Sequence, residues 1–119
     1  MNKATSHILL VDDDESFRYA AEKTLSEAGF TVTGASDYRK ALDVLNGSAP
    51  IDLLLTDVVM PNRVNGFALA RMAAMRRSDL RVLYMTAYDV PTNEAMGKIL
   101  RKPIAGEQLI AEVNQAIAA

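Results

Sequence analysis

The sequence predicts an α/β fold in which a parallel β-sheet lies between layers of helices. Short apolar runs alternate with segments of helical periodicity along the 119 residues, which favours strands joined by helical crossovers. The run Leu53-Leu54-Leu55 is typical of a central strand that is covered on both faces. Several of the apolar runs also end on polar residues, and open α/β sheets bind their ligands at that edge.

The first half of the chain is predicted to contain two strand–helix pairs. The second strand is the more polar one, so we expect it at an edge of the sheet. Asp14 is expected to cap the first helix, which Gly29 would end, and Ser36 is expected to cap the second. The predicted strands are 8–11 and 30–33, and the predicted helices run from Glu15 to Gly29 and from Ser36 to Asn46-Gly47.

The second half is predicted to begin with the central strand, which ends at Asp57. Turn residues follow it, and a helix then ends at the cations Arg76 and Arg77. Residues 88–97 contain Pro91, Thr92 and Asn93, which leave room for one or two helical turns at most. The remaining predicted elements are a loop at 58–66, a helix from Phe67, strands at 81–85 and 98–101, and a last amphipathic helix at 107–118.

The composition is that of one globular domain spanning residues 1–119, with 50% hydrophobic and 24% charged residues. A formal net charge of -2 gives no electrostatic reason to expect nucleic-acid binding by this domain. The chain has no cysteine, so disulfides, thiolate metal sites and cysteine nucleophiles are excluded. No stretch has the length and apolarity of a signal peptide or a membrane span, and we expect a cytoplasmic protein.

Polar residues at the ends of four predicted strands form the candidate site. Taken alone, an aspartate at such an edge is more often a helix cap or solvated. Together, three carboxylates on one edge repel each other unless a cation neutralises them, and ligands that are all oxygen favour Mg²⁺. A lysine and a hydroxyl beside them suit the transfer of a phosphoryl group, with one aspartate as the nucleophile. These residues are Asp12, Asp13, Asp57, Thr86 and Lys102.

The chain resembles the response-regulator receiver domains of bacterial two-component systems over nearly its whole length. Five blocks carry the resemblance: ILLVDDDE at 8–15, DLLLTDVVMP at 52–61, Asn65-Gly66, Met85-Thr86-Ala87 and Lys102-Pro103. The resemblance implies a flavodoxin-like doubly wound sandwich with a five-stranded parallel sheet in the order 2-1-3-4-5. It also implies that a sensor histidine kinase or a phosphotransfer protein donates a phosphoryl group to an aspartate.

Matched by motif position, the resemblance gives each site residue a role. Asp57 would be the phosphoacceptor, and Lys102 would pair with the phosphate. Asp13, the Asp57 carboxylate and the Val59 carbonyl would bind Mg²⁺ or Mn²⁺ directly, and Asp12 would bind it through a water. The Thr86 hydroxyl and the Ala87 amide would hold phosphoryl oxygens. The Lys102-Pro103 bond would be cis.

The sequence departs from the family pattern at several positions. Ile99 stands where receivers usually carry a Tyr or Phe that turns inward on activation, so that aromatic switch is not expected. The segment from Thr86 to Lys102 is several residues short, which predicts a shortened or missing fourth helix. The loop at 62–64 is one residue longer than the common pattern. Val59 and Tyr88 occupy the two positions that tune phosphoryl lifetime in the family, and the resemblance leads us to expect that this apolar, bulky pair slows autodephosphorylation.

Two other functions fit parts of the pattern. A pseudo-receiver would keep the fold and bind a partner without being phosphorylated. A Mg²⁺-dependent aspartyl phosphatase would use a second aspartate two residues after the nucleophile, where this chain has Val59. The only histidine, His7, is expected at the surface ahead of the first strand, away from the site. The expected protein accepts a phosphoryl group and is not a turnover enzyme; its downstream partner is unidentified.

Overall fold

The computed structural model describes residues 6–60 and 64–118. Its described residues form one sheet of five strands in the order β2-β1-β3-β4-β5, and every pairing is parallel. Four helices accompany the sheet in this part of the chain. The predicted flavodoxin-like α/β fold and its strand order are therefore confirmed. Among the helices of the described residues, none has the length and apolarity needed to span a membrane.

The elements alternate along the chain. The strands are β1 His7–Val11, β2 Thr31–Ala35, β3 Leu53–Asp57, β4 Arg81–Thr86 and β5 Ile99–Arg101. The helices are α1 Glu15–Glu27, α2 Tyr38–Asn46, α3 Gly66–Arg76 and α4 Gly106–Ala118. β2 lies at an edge of the sheet, as its polar sequence predicted, although it begins one residue later and ends two residues later than expected.

The core is divided by the sheet into two layers. Successive side chains of a strand point to opposite faces, so Leu54 packs in the layer with α2 and α3 while Leu53 and Leu55 pack in the layer with α1 and α4. All five residues of β3 are buried. The central strand is thus held from both faces and by a neighbour on each side, which fixes the position of its last residue, Asp57.

Side-chain caps begin three of the helices. The carboxylate of Asp14 accepts from the Phe17 amide at 3.1 Å, as predicted, and Asn65 caps α3 in the same way. The predicted cap of α2 was wrong by one residue. Asp37 accepts from the Lys40 amide, while the Ser36 hydroxyl accepts from the Lys40 ammonium.

Gly29 ends α1 with a positive φ of 103°, a conformation that glycine adopts without a steric penalty. The Phe30 amide then reaches back to the Leu25 carbonyl at 3.2 Å, which satisfies a carbonyl at the end of the helix. The sequence had predicted this stop.

Residues 87–98, all of them described, contain no helix between β4 and β5. The predicted shortening is therefore a complete loss. Val90 and Ala95 of this segment pack against the core, and the buried Tyr84 ring packs edge-on against Phe67 at 5.0 Å. The Tyr84 hydroxyl accepts from the Met96 amide at 3.1 Å and so ties the end of the segment to β4.

Candidate functional site

The carboxyl ends of the central strands bring the predicted site residues to one edge of the sheet. Asp12 directly follows β1, Asp57 is the last residue of β3, and Lys102 directly follows β5. Beyond the ladders, Val58 donates to the Met85 carbonyl at 2.9 Å, and the Lys102 amide donates to the Thr86 carbonyl at 2.8 Å. These bonds continue the parallel pairing past the strand ends and fix the backbone from which the side chains project.

Three carboxylates meet at this edge. One oxygen each from Asp12, Asp13 and Asp57 lies within 4.8 Å of the others. Asp12 is fully buried, Asp57 is 7% exposed and Asp13 is exposed. The donor set consists of hard oxygens on a partly open rim, which fits a hard divalent cation such as Mg²⁺ that keeps several waters. The structure thus brings together the acids that the sequence pointed to.

Lys102 bridges the two buried acids. Its ammonium nitrogen lies 2.7 Å from Asp12 Oδ2 and 3.4 Å from Asp57 Oδ2. The same nitrogen lies 4.1 Å from the centroid of the Phe17 ring. The lysine side chain is only 15% exposed, so its charge is partly withdrawn from water and is balanced by the acids. The Lys102-Pro103 bond is cis, as predicted.

Asp12 is fixed by contacts on several of its atoms. Its Oδ1 accepts from the Asp14 amide at 2.9 Å, and its carbonyl accepts from the Arg18 guanidinium at 2.9 Å. Its own amide donates to the Ala35 carbonyl. Asp12 therefore serves as a rigid anchor for Lys102, whereas the exposed Asp13 is free to face an ion at the rim.

The pKa of Asp57 is raised from 3.8 to about 6. Burial is the largest cause, because it disfavours the charged form, and the charge of Asp12 adds to it. The Lys102 ammonium and a hydrogen bond from the Val59 amide act in the opposite direction. Without a further cation the acid pair is therefore incompletely neutralised by Lys102.

Lys102 itself stays charged at neutral pH. Burial lowers its pKa, but the hydrogen bond and charge of Asp12 outweigh that effect, and Asp57 adds to them, so the net pKa is raised. The site therefore contains a permanent cation beside the candidate nucleophile.

Thr86 ends β4 and is 2% exposed. Its hydroxyl accepts from the Tyr88 amide at 3.1 Å and donates to the Tyr88 carbonyl at 3.2 Å. The hydroxyl is thus engaged with the following turn in this structure. Ala87 between them is exposed at the rim of the site.

The predicted tuning and switch residues lie around the site at different depths. Val59 is 44% exposed and Tyr88 is 61% exposed. Ile99 is half-buried and pairs in register with Tyr84. Their roles remain predictions, as does the use of the Val59 carbonyl.

Gly66 allows α3 to begin directly beneath the site. A Cβ at this position would lie 2.4 Å from the Asp57 carbonyl oxygen, closer than packed atoms allow. The Gly66 amide donates to the Val58 carbonyl at 2.7 Å. The Asn65-Gly66 pair therefore combines a helix cap with a close approach to the central strand. Residues 61–63, which include most of the loop that we predicted to be one residue longer, lie outside the described residues.

A groove of about 520 Å³ opens beside Lys102. It runs between α1 and the segment that joins β5 to α4, and its walls are mostly apolar. Its lining includes Phe17, Ala20, Ala87, Pro103, Ile104 and Leu109. Sequence reasoning missed both this groove and Phe17. The available signal was that Phe17 lies in the first turn of the helix that directly follows the acidic strand end.

His7 lies at the opposite end of the sheet. It is the first residue of β1 and does not precede that strand, and its half-buried ring places Nε2 2.6 Å from Thr33 Oγ1. We expected His7 at the surface, but its ring is half-buried. Its expected position away from the acidic edge is confirmed.

Comparison with known proteins agrees with this geometry. The family model described as "Response regulator receiver domain" matches residues 8–114. The response regulator receiver protein CpdR of Brucella abortus is 34% identical over 122 residues, covering 94% of this chain and 97% of CpdR. The response regulator MprA of Mycolicibacterium vanbaalenii is 36% identical over 113 residues, covering 90% of this chain and 48% of MprA. The chain thus spans about half the length of MprA.

Solved structures show the same architecture. A response regulator receiver protein from Sinorhizobium medicae superposes with a TM-score of 0.87 at 32% identity, covering 97% of this chain and 96% of that one. The chemotaxis protein CheY4 of Vibrio cholerae superposes with a TM-score of 0.85 at 28% identity, covering 94% and 98%. The match along residues 8–114, together with the acids and lysine at the sheet edge, shows that this chain belongs to the response regulator receiver domain family of two-component systems.

Proposed function

We propose that residues 1–119 form one receiver domain that accepts a phosphoryl group on Asp57 in a two-component phosphorelay and thereby changes its partner binding. The observation that carries this proposal is the convergence of three carboxylates and the Lys102 ammonium on one sheet edge. Phosphorylation on aspartate is a property of the family to which the chain belongs.

Mg²⁺, or Mn²⁺ in its place, is the cation that this donor set suits. Asp13 and Asp57 would bind it directly with the Val59 carbonyl, and Asp12 would bind it through a water. When bound, the ion neutralises the carboxylates and the charge on the transferring phosphoryl group.

The chemistry required of the chain itself is a single displacement. An Asp57 oxygen attacks the phosphorus of a phosphohistidine, the O–P bond forms as the P–N bond breaks, and the imidazole leaves with a proton from solvent. Asp57 must be ionised to attack, and a pKa of about 6 leaves it mostly ionised at neutral pH. Lys102 lies 3.4 Å from Asp57 Oδ2 and would pair with an incoming phosphoryl oxygen.

Thr86 would complete the site by changing its hydrogen-bond partner. Its hydroxyl now bonds to the backbone of Tyr88, so donation to a phosphoryl oxygen requires that this turn open. The Ala87 amide, one residue further, would hold a second oxygen. Because Ile99 has no ring to turn inward, the signal would leave the site through this turn rather than through an aromatic switch.

The acyl phosphate is expected to be long-lived. The Val59 side chain has no polar group that could orient an attacking water, and the bulky Tyr88 side chain would shield the acyl phosphate. We expect a lifetime of minutes or longer, and Val59→Asn should shorten it several-fold. The decay of labelled phosphoprotein measures this directly, and loss within seconds in the wild type would contradict the shielding role of the pair.

The partners follow from the reaction. The donor is a sensor histidine kinase or a phosphotransfer protein, and an unidentified protein receives the signal. We propose a cytoplasmic domain that contacts neither nucleic acid nor membrane. As a phosphoacceptor, it would not be a turnover enzyme.

The test is incubation with acetyl phosphate and Mg²⁺, followed by intact mass measurement of the wild type and of Asp57→Asn. We expect the wild type alone to gain the mass of one phosphoryl group, and the gain to disappear when EDTA removes the ion. A gain that survives in Asp57→Asn would remove Asp57 from its role. No gain in the wild type, together with an unchanged spectrum in beryllofluoride and Mg²⁺, would instead support a pseudo-receiver.

A further inference from the structure

In the described part of the chain, the Lys102 ammonium lies close to two acids and to one aromatic ring. Asp12 and Asp57 accept from it at 2.7 and 3.4 Å, and the Phe17 ring centroid lies 4.1 Å away. An ammonium has three N–H donors, and within residues 6–60 and 64–118 two carboxylates accept from this one. A cation within about 6 Å of a ring centroid is attracted to the negative face of the ring.

Phe17 is itself held firmly at this place. Its amide donates to the Asp14 carboxylate in the cap that begins α1, and its side chain packs against the core layer beneath that helix. Asp14 in turn donates its amide to Asp12, the closer acid partner of Lys102. The ring and the anchoring acid therefore belong to one short, rigid segment.

The Lys102 side chain has an alternative conformation available to it. The groove of about 520 Å³ is lined by both Lys102 and Phe17, and a lysine side chain has four rotatable bonds. On the solvent side of this groove, the ammonium would regain hydration and rotamer freedom while the side-chain stem lies along the apolar wall. The Phe17 ring also lines this groove, and its attraction for the ammonium favours the Lys102 conformer that points at the acids.

We propose that Phe17 is a positioning residue, which holds the Lys102 ammonium against Asp12 and Asp57 through the face of its ring. The contact itself stands independently, but its consequence for phosphoryl transfer rests on the proposed function. The consequence is a preorganised cation, which raises the rate at which Asp57 accepts a phosphoryl group.

The contact can be tested without any phosphorylation. A ring face shields nearby nuclei, so the ε-methylene protons of Lys102 should be shifted upfield in NMR spectra of the wild type. Phe17→Leu should remove this shift, and Phe17→Tyr should keep it. An unshifted Lys102 in the wild type would overturn the proposal.

The kinetic test uses acetyl phosphate at saturating Mg²⁺. We expect Phe17→Leu to lower the maximal rate about fivefold, within the range for a partly desolvated cation–π contact, and Phe17→Tyr to stay within about twofold of the wild type. Tyr19→Leu is the matched control, because it removes a 74% exposed ring from the same helix. Its rate should be unchanged.

The dependence on Lys102 separates positioning from packing. In a Lys102→Met background, Phe17→Leu should have no further effect on the rate. An equal loss in Phe17→Leu and Phe17→Tyr, or a loss that persists without Lys102, would refute the positioning role. A wild type that gains no phosphoryl group would refute the proposed function and the rate effect, while the NMR shift would still decide the contact.

Discussion

Replacing Asp57 by asparagine is expected to stabilise the metal-free protein at neutral pH. Folding raises the pKa of this carboxyl from 3.8 to about 6, so the folded protein binds its proton more tightly than the unfolded chain does. The carboxylate therefore costs stability once it is ionised. The asparagine side chain of the variant has a similar shape and carries no charge, which removes that cost.

The magnitude follows from the pKa shift. A shift of about two units at about 1.4 kcal/mol per unit gives an upper limit of about 3 kcal/mol. The asparagine amide loses the charge-assisted hydrogen bond to Lys102 and must find partners of its own, which reduces the gain by about 1 kcal/mol or more. We expect Asp57→Asn to be more stable than the wild type by about 1–2 kcal/mol at about pH 7.5.

The pH dependence has a definite sign. Because the folded pKa is the higher one, the wild type loses stability relative to the variant as the pH rises from about 4 to about 6, and the difference is constant above about 7. Urea unfolding in EDTA, followed by circular dichroism at about pH 4 and about pH 7.5, measures both differences. Excess Mg²⁺ should reduce the stability difference between the variant and the wild type at about pH 7.5, because the ion binds the folded wild type more tightly than the folded variant.

Asp89→Asn is the control: it removes the charge of a 96% exposed side chain in a surface ion pair and should change stability by less than about 0.5 kcal/mol. A variant that is less stable than the wild type at about pH 7.5 would refute the reasoning, as would a gain of equal size at both pH values.

Three further substitutions test contacts of the fold, two at the site and one at the ends of α2 and α3. Lys102→Met leaves the fully buried Asp12 carboxylate without its ammonium partner. We expect the free energy of unfolding in urea to fall by about 3 kcal/mol and labelling by acetyl phosphate to slow. Unchanged stability would contradict the ion pair between Lys102 and Asp12. Gly66→Ala places a Cβ 2.4 Å from a carbonyl oxygen of the central strand and should cost about 2 kcal/mol, measured in the same way, whereas a neutral effect would show that α3 can shift freely. Arg77→Ala removes guanidinium hydrogen bonds to three carbonyls around the end of α2 and should lower stability by about 2 kcal/mol. The control Arg71→Ala breaks an exposed ion pair and should cost less than about 0.5 kcal/mol. Equal losses in the two variants would refute the stabilising role of the Arg77 hydrogen bonds.

The gross architecture could be predicted because its determinants are local in the sequence. The run Leu53-Leu54-Leu55 indicated a strand covered on both faces, and all of β3 is buried. The short, proline-containing stretch after Thr86 predicted a shortened or missing helix, and residues 87–98 contain none. Gly29 predicted the end of α1, where a positive φ is indeed found.

The details of the caps and strand limits could not be predicted with the same certainty. Ser36 and Asp37 are both good cap residues, and only the backbone path decided that the aspartate reaches the Lys40 amide. β2 extends to Ala35 because it pairs with β1 over its whole length, and that pairing depends on a distant segment.

The sequence by itself determined that Asp12, Asp57 and Lys102 would share an edge of the sheet, because parallel strands place their carboxyl ends on the same side. Only the tertiary structure decided how their side chains meet. It placed Lys102 closer to Asp12 than to Asp57 and against the face of the Phe17 ring, and it paired the Thr86 hydroxyl with Tyr88. The physical reason is that chain order fixes strand direction, whereas the conformer of a long side chain depends on burial and on charges supplied by segments far apart in the sequence.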